Sequence, residues 1–255
     1  MLIVLSPAKS LDLETPPTTK LHTQPAFLDH SAQLIDHLRE FTPAQLGELM
    51  ELSDALSTLN VARYASWTRD TAEARQAVMT FNGDVYDGLD ARSMTGKQLD
   101  YTQSRIRILS GLYGMLKPLD LIHPHRLEMG TRLKTARGKS LYEFWGDTIT
   151  DALNRSAEEQ GAEVLVNLAS EEYFKSVKPK KLAVPVITAN FEDWKNGKYK
   201  VISFFAKRAR GMMARYAAVK GITDPQKLKK FEVDGYAFEP SVSDERNWVF
   251  RRRLA

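Results

Sequence analysis

Residues 184–220 read VPVITANFEDWKNGKYKVISFFAKRARGMMARYAAVK, and the order of elements in this stretch sets the fold class. On either side of Asn196-Gly197, the runs VPVITANFEDW and KYKVISFF are rich in β-branched and aromatic residues, and Asn-Gly supplies both positive φ values of a type I′ turn. A β-hairpin is therefore predicted, and its second strand feeds directly into a helix from Phe204 to Lys220. Wound at helical pitch, Lys207, Arg208, Arg210 and Arg215 share one side, while Phe205, Met212, Tyr216 and Val219 take the other. A helix buried by one stripe and lined with cations on the opposite one suits a polyanionic partner, and nucleic acid is the first to consider. A solvated basic face that binds nothing is the plainer reading of the helix taken alone.

Upstream of the hairpin, VLVNL at 164–168 is a continuous apolar strand, and Ser170 caps a helix whose first turn holds Glu171 and Glu172, as the macrodipole prefers. RIRIL at 105–109 reads as a strand entering the loop Ser110-Gly111-Leu112-Tyr113-Gly114. The chain opens on a buried strand, LIVL, which delivers the loop Ser6-Pro7-Ala8-Lys9-Ser10. Between these strands the pattern is helical. Leu34, Ile35, Leu38 and Phe41 share a face, Thr42-Pro43 starts a second helix through Met50, and a third begins near Ser53-Asp54. The three-residue connection makes the last two a helical hairpin. A further helix is predicted at 70–80, and another through Phe144, Trp145, Ile149 and Leu153. Short strands around FEVDGYAF and NWVFRR close the chain. Strands and helices interleave, so the reading is α/β: a single mixed α/β domain over 1–255 with a helical insert, roughly 28–80, after the first strand.

With 255 residues, 43% hydrophobic and 27% charged, the chain can bury a substantial core. No apolar run approaches the ~20 residues that span a bilayer, and MLIVLSPAKS lacks the basic leader of a secretion signal, so a cytoplasmic location without membrane contact is expected. The absence of cysteine excludes disulfides, thiol switches and thiolate metal sites. The net charge of +4 conceals segregation: 8 Lys/Arg face 2 Asp/Glu in residues 101–140, and 12 face 4 in 171–220. If these two blocks meet in space they form a positively charged cleft.

Several loops carry groups that suit chemistry or binding. Lys9 among small residues after a strand suits an anion, although the glycine–lysine spacing of a P-loop is missing. The Ser110–Gly114 loop, with Gly111 and Gly114, lets a backbone approach a phosphate, and Lys117, Arg126 and Arg132 follow it; the same glycines equally serve a strand-to-helix turn. His123 and His125 with Glu128 invite a metal reading, but no second ligand cluster accompanies them, and no metal or cofactor is expected. Asn82, Asp84 and Asn167 fall at turns and strand ends where ligands commonly bind in α/β folds, or where they cap and turn the chain. Phe191, Trp194, Tyr199 and Phe204 surround the basic hairpin, and some can stack on unpaired bases. No Ser/His/Asp order or carboxylate pair singles out a nucleophile.

The blocks LSPAKSLD (5–12), FNGDVYDGL (81–89), ILSGLYGMLKPLDLI (108–122), RLEMGTRL (126–133), NLASEEYFKSV (167–177) and ISFFAKRARGMMARY (202–216) resemble the YaaA family, bacterial proteins tied to peroxide stress resistance. The resemblance implies a cytosolic protein that limits intracellular iron and oxidative DNA damage, with an unusual α/β fold, a positively charged cleft and DNA binding through a helix-hairpin-helix element. The cleft would draw on Lys9, Lys117, Arg126, Lys175, Lys207, Arg208, Arg210 and Arg215. The helical hairpin is better placed at 43–65 than at the Gly111 loop. Ser10 stands where the family pattern has threonine, and His125 where an aromatic is usual. The leading expectation is a DNA-binding protein acting on duplex or structured forms, without a stable protein partner. The alternative is an enzyme acting on a nucleotide or nucleobase in the same cleft, with Lys9 and Glu128 as its catalytic candidates. Direct iron sequestration is disfavoured by the missing thiols and scarce histidines.

Overall fold

The computed structural model describes residues 1–253; the last two residues of the expected 1–255 domain lie outside the described residues. The runs read as buried strands assemble into one eight-stranded sheet. In chain order these are β1 (Leu2–Leu5), β2 (Ile106–Ser110), β3 (Gly114–Leu116), β4 (Leu165–Asn167), β5 (Val186–Lys195), β6 (Lys198–Lys200), β7 (Ala237–Phe238) and β8 (Asn247–Arg252). Their spatial order is β7-β8-β5-β4-β1-β2-β3, with β6 folded back on β5. The five central strands, β8, β5, β4, β1 and β2, are parallel. Strands β1, β2 and β4 are buried on both faces, which is why LIVL and VLVNL read as apolar runs; RIRIL alternates charge and apolar residues, yet its strand is buried throughout. Strand β5 does alternate, with Ile187, Ala189, Phe191 and Asp193 turned inward.

From β1 the chain leaves to β2 on one side, whereas β4, β5 and β8 continue on the other. The order therefore reverses between β1 and β4, and in open α/β sheets the crevice outside the carboxyl ends at such a switch point takes ligands. The loop after β1 is Ser6–Ser10, and the loop after β4 leads to Ser170. The two are tied together, the Ser170 backbone N–H donating to Ser6 Oγ at 2.8 Å.

The hairpin forms as predicted, with Asn196 at φ 55° and Gly197 at φ 80°. Strand β5 pairs with β4 only through residues 186–188, so its remaining length runs past the carboxyl end of β4 and places the hairpin tip beyond the switch point. The helix that follows spans Ser203–Lys220. The predicted insert is also helical, with Leu28–Leu38, Pro43–Met50 and Asp54–Ser66; Thr42 and Gln45 form a capping box at the second. The helix expected at 70–80 shrinks to Ala77–Thr80, because the chain at Arg75–Gln76 pairs instead with Leu121–Ile122. The helix through Phe144 and Leu153 is two, broken at Gly146 with φ 52°. Among the described residues no helix is long and apolar enough to cross a membrane.

The basic helix packs unlike the amphipathic reading. Its buried stripe is Ala206, Ala209, Gly211, Met213, Ala214, Ala217 and Ala218, while Val219 is exposed. Alanine and glycine on the inner side let the helix lie main chain to main chain on the short helix Asp84–Leu89. A Cβ built on Gly211 would sit 1.8 Å from the Val85 carbonyl oxygen, and one on Gly88 2.2 Å from that of Arg208. Arg210 lies half-buried at the edge of this inner side. Its helical neighbours Ala206, Met213 and Ala214 are all buried.

Candidate functional site

Two cavities open at the carboxyl end of the sheet and share Lys9 in their walls. The larger, about 860 Å³, lies between the helical hairpin and the 126–132 loop; the smaller, about 500 Å³, lies between the Ser6–Ser10 loop, Ser170 and the first half of the basic helix. The Ser10–Leu11 segment pairs antiparallel with Phe81–Asn82, which draws Asn82 and Asp84 into the smaller cavity beside Lys207 and Arg210. Of the two basic blocks, 101–140 contributes Arg126 and Arg132 to the larger cavity and 171–220 contributes Lys207 and Arg210 to the smaller.

The larger cavity carries both signs. Lys9, Arg126 and Arg132 face Glu48, Glu51, Glu128 and Glu172 across it. Glu128 accepts from both Lys9, at 2.6 Å, and Arg126, at 3.0 Å, so two of the expected phosphate contacts are closed into one ion cluster. The Arg126 segment is held from the insert, where the Tyr64 hydroxyl donates to the Arg126 carbonyl. It is held from the other side by Glu172, which accepts from the Gly130 backbone N–H at 2.9 Å. The helical hairpin turns through Glu51, at φ 53°, Leu52 and Ser53, with no glycine. Its turn therefore presents Glu48 and Glu51 to the cavity, carboxylates that oppose a phosphate.

Four expected site residues have other duties. Gly111 lies against the Leu127 main chain, 2.2 Å from its oxygen if a Cβ is added, and Gly114, at φ 69°, is covered by the Trp145 ring, whose Nε1 donates to the Gly111 carbonyl. The loop is a turn between β2 and β3, a hairpin rather than a strand-to-helix turn, with the buried Ser110 accepting from the Tyr113 backbone N–H. Asn167 makes an Asx turn, its Oδ1 accepting from the Ala169 N–H at 2.9 Å. Two cations are also placed elsewhere. The register Ile108↔Leu116 carries Lys117 back toward the amino ends of the parallel strands, away from the cavities. Arg215 donates to the Leu89 and Asp90 carbonyls and to Ser93 Oγ, bracing the basic helix on its neighbour.

Lys207 and Arg208 are exposed, as is Lys175, whose Nζ stands 5.1 Å from the Tyr142 ring centroid. Arg210 is the residue whose surroundings the helical pattern misread. Among the described residues its Nε is buried without a hydrogen-bond partner, and burial lowers its pKa with no carboxylate offsetting that shift. Small residues near an arginine were the available signal, because Ala206, Ala209, Gly211 and Ala214 mark a tightly packed side beside it.

His125 and His123 do not behave as ligands. His125 Nδ1 lies 2.8 Å from the His123 carbonyl, and His123 Nε2 lies 2.7 Å from that of Asp70, so each ring spends its N–H on main chain. His125 packs as an aromatic ring would, edge-on to Tyr113 at 5.1 Å and Phe81 at 6.4 Å. Burial pushes its pKa down from 6.5 to about 4. Asp120, buried beside Thr23 and the Lys117 backbone and near Arg107, is pushed up from 3.8 to about 6, again by burial. The two act in opposite directions. Between pH 6.5 and 4 the unfolded chain protonates His125 first, which weakens the fold by about 3 kcal/mol on acidification. Between pH 6 and 3.8 the folded chain protonates Asp120 first, which strengthens it by a similar ~3 kcal/mol. Relative to the parent, His125→Phe is expected to gain stability as pH falls from 7 to 4.5, and Asp120→Asn to lose it. Urea midpoints across that range check this; two variants drifting in the same direction from the parent would refute the opposition.

A family model described as peroxide stress protein YaaA matches residues 1–242. A UPF0246 protein of Janthinobacterium sp. (strain Marseille) is 60% identical over 256 residues, covering 100% of this chain and 99% of its own. Another, from Ralstonia pickettii (strain 12J), is 60% identical with 100% of both chains covered, and one from Cupriavidus metallidurans is 59% identical over 259 residues, covering 100% of this chain and 99% of its own. With the model reaching from the first strand into the loop before β8 and relatives matching from end to end, this chain belongs to the YaaA family of peroxide stress proteins.

Proposed function

We propose that this member of a peroxide stress family acts by binding DNA at the carboxyl end of its sheet, and that this binding serves to limit DNA damage and intracellular iron. One observation carries the reading: Lys207 lines the switch-point crevice, and the exposed Arg208, the hairpin lysines Lys195 and Lys198, and the exposed rings Trp194 and Phe204 belong to the same hairpin-and-helix segment. Cations that follow a sugar-phosphate backbone suit structured or partly unpaired DNA, and the Trp194 ring, which carries the Arg253 guanidinium 4.6 Å from its centroid, would exchange that contact for a stacked base. Lys175 is a further exposed cation of the expected set, while Lys9 would have to exchange its Glu128 pair for a phosphate. Lys117 and Arg215 are left out, the first by its position and the second by its bracing role.

Each phosphate neutralised adds about 0.9 to the slope of log affinity against log salt on duplex DNA. Replacing Lys207 and Arg208 together by alanine is expected to flatten that slope by about 1.8. Anisotropy titrations on a duplex and a junction between 50 and 200 mM salt, roughly the range over which such contacts are resolved, provide the measurement. A double variant with the parent's slope on both ligands would remove this surface from DNA binding. A nucleotide-transforming enzyme is the weaker reading, since Glu128 is already shared by Lys9 and Arg126.

A further inference from the structure

Arg210 poses a question that binding along a DNA backbone does not answer. Arg210 is half-buried, its Nε is buried without a hydrogen-bond partner, and its side chain lines the 500 Å³ cavity. An arginine left in such a place without a partner is costly, and replacing it by an apolar side chain of similar length would ordinarily stabilise a fold. Lys207, one turn earlier, lines the same cavity and takes part in none of the ion pairs among the described residues. Asn82 and Asp84 line it too, as an amide and a carboxylate, and Glu171 and Glu172 add two more carboxylates. The Ser6 and Ser170 hydroxyls, by contrast, are already engaged with each other.

Lys9, Lys207 and Arg210 give this lining three cations, and its carboxylates and amide can take hydroxyl donors, which together describe a ligand with an anionic end and a polar, hydroxyl-bearing body. Planar guanidinium favours a phosphate through paired N–H donors, and an ammonium adds a second charge without fixed geometry. The cavity volume is that of a small-ligand site and too confined for a duplex. A phosphodiester inside a continuous strand carries one charge and must exit on both sides, whereas a monoester carries close to two and ends there. We infer that the Arg210–Lys207 cavity binds a phosphate monoester, with Arg210 as its principal contact and Asn82 and Asp84 facing the attached sugar.

The monoester can come from two sources, a free mononucleotide or the phosphorylated terminus of a DNA strand. Only the second rests on the DNA-binding reading above, and the experiment separates them. Affinities of the full chain are compared for one single-stranded oligonucleotide with a 5′-phosphate, a 3′-phosphate or hydroxyls at both ends, and thermal shifts are recorded with dAMP and with inorganic phosphate. A preference of about tenfold or more for a phosphorylated end, reduced to parity in Arg210→Met, is expected for the strand terminus. Stabilisation of the parent by dAMP, absent in Arg210→Met, supports the free mononucleotide, and it does so even if no oligonucleotide binds. Arg210→Met should itself melt no lower than the parent without ligand, which a merely structural arginine would not allow. If that variant fails to fold, Arg210→Lys is used, and it should weaken the phosphate effect while retaining part of it. Equal affinity for phosphorylated and hydroxyl ends, together with no thermal shift from dAMP or phosphate in the parent, overturns the inference.

Discussion

Gly211→Ala is expected to destabilise the protein by 3 kcal/mol or more, about the upper end of overpacking costs, although alanine is the better helix former. Helix propensity alone would make the substitution favourable by about 1 kcal/mol. The added methyl, however, would stand 1.8 Å from the Val85 oxygen and 2.8 Å from the Leu89 nitrogen. Both are main-chain atoms in a helix and have no rotamer by which to yield. The only relief is to separate the two helices, which strips Gly88 from Arg208 and Met212 and loosens the bracing contacts of Arg215. Gly88→Ala meets the same obstacle from the other side, 2.2 Å from the Arg208 oxygen. Urea unfolding of each variant decides the matter: a Gly211→Ala protein as stable as the parent would mean that the helices do not pack this closely.

Arg252→Ala is expected to cost about 3–5 kcal/mol, because it strands a buried carboxylate. Arg252 and Asp193 are each only 3% exposed, and Arg252 Nε donates to Asp193 Oδ1 at 2.7 Å across the β5–β8 pair. Tyr236 donates its hydroxyl to the other carboxylate oxygen at 2.8 Å, and the guanidinium lies 4.4 Å from the Tyr236 ring centroid and 4.5 Å from that of Phe205. Removing the cation leaves Asp193 with one neutral donor in a dry seam. Removing both charges is different. The double variant Asp193→Leu, Arg252→Met should recover most of the loss, since a buried ion pair adds little over apolar packing of similar volume. A single variant costing under about 1 kcal/mol would show the pair to be solvated.

What could be read from the residues and what could not divides along physical lines. Asn196-Gly197 announced its hairpin because few dipeptides accept two positive φ values, a requirement that is local and chemical. The strands LIVL and VLVNL were legible as short apolar runs and RIRIL by its alternation, although RIRIL hid a buried arginine. Arg107 is 1% exposed and satisfies its guanidinium on the Gln103 and Ile106 carbonyls and Ser156 Oγ, an arrangement that alternation of charge and apolar residues does not suggest. The position of the site was not legible, because it depends on β1 lying beside β4, a pairing between residues more than 160 apart in the sequence. Lys117 was misplaced when the turn before it was read as leading to a helix. Arg210 was misplaced because alanine weighs little in an amphipathic pattern, yet a side made of alanine buries more deeply than one made of large residues. The HPH motif looked like chemistry and is instead two rings donating to backbone carbonyls.

The close seating of the basic helix has a consequence for how tightly a ligand can be held. Side-chain interfaces breathe by rotamer exchange, but here backbone meets backbone, and the support beneath Lys207 and Arg210 has no such freedom to give up. An anion arriving in the cavity meets a guanidinium whose base behaves as a girder, so little of the interaction is lost to freezing the receptor. Small glycines at two points of the fold thereby set the rigidity with which charge is offered at its mouth.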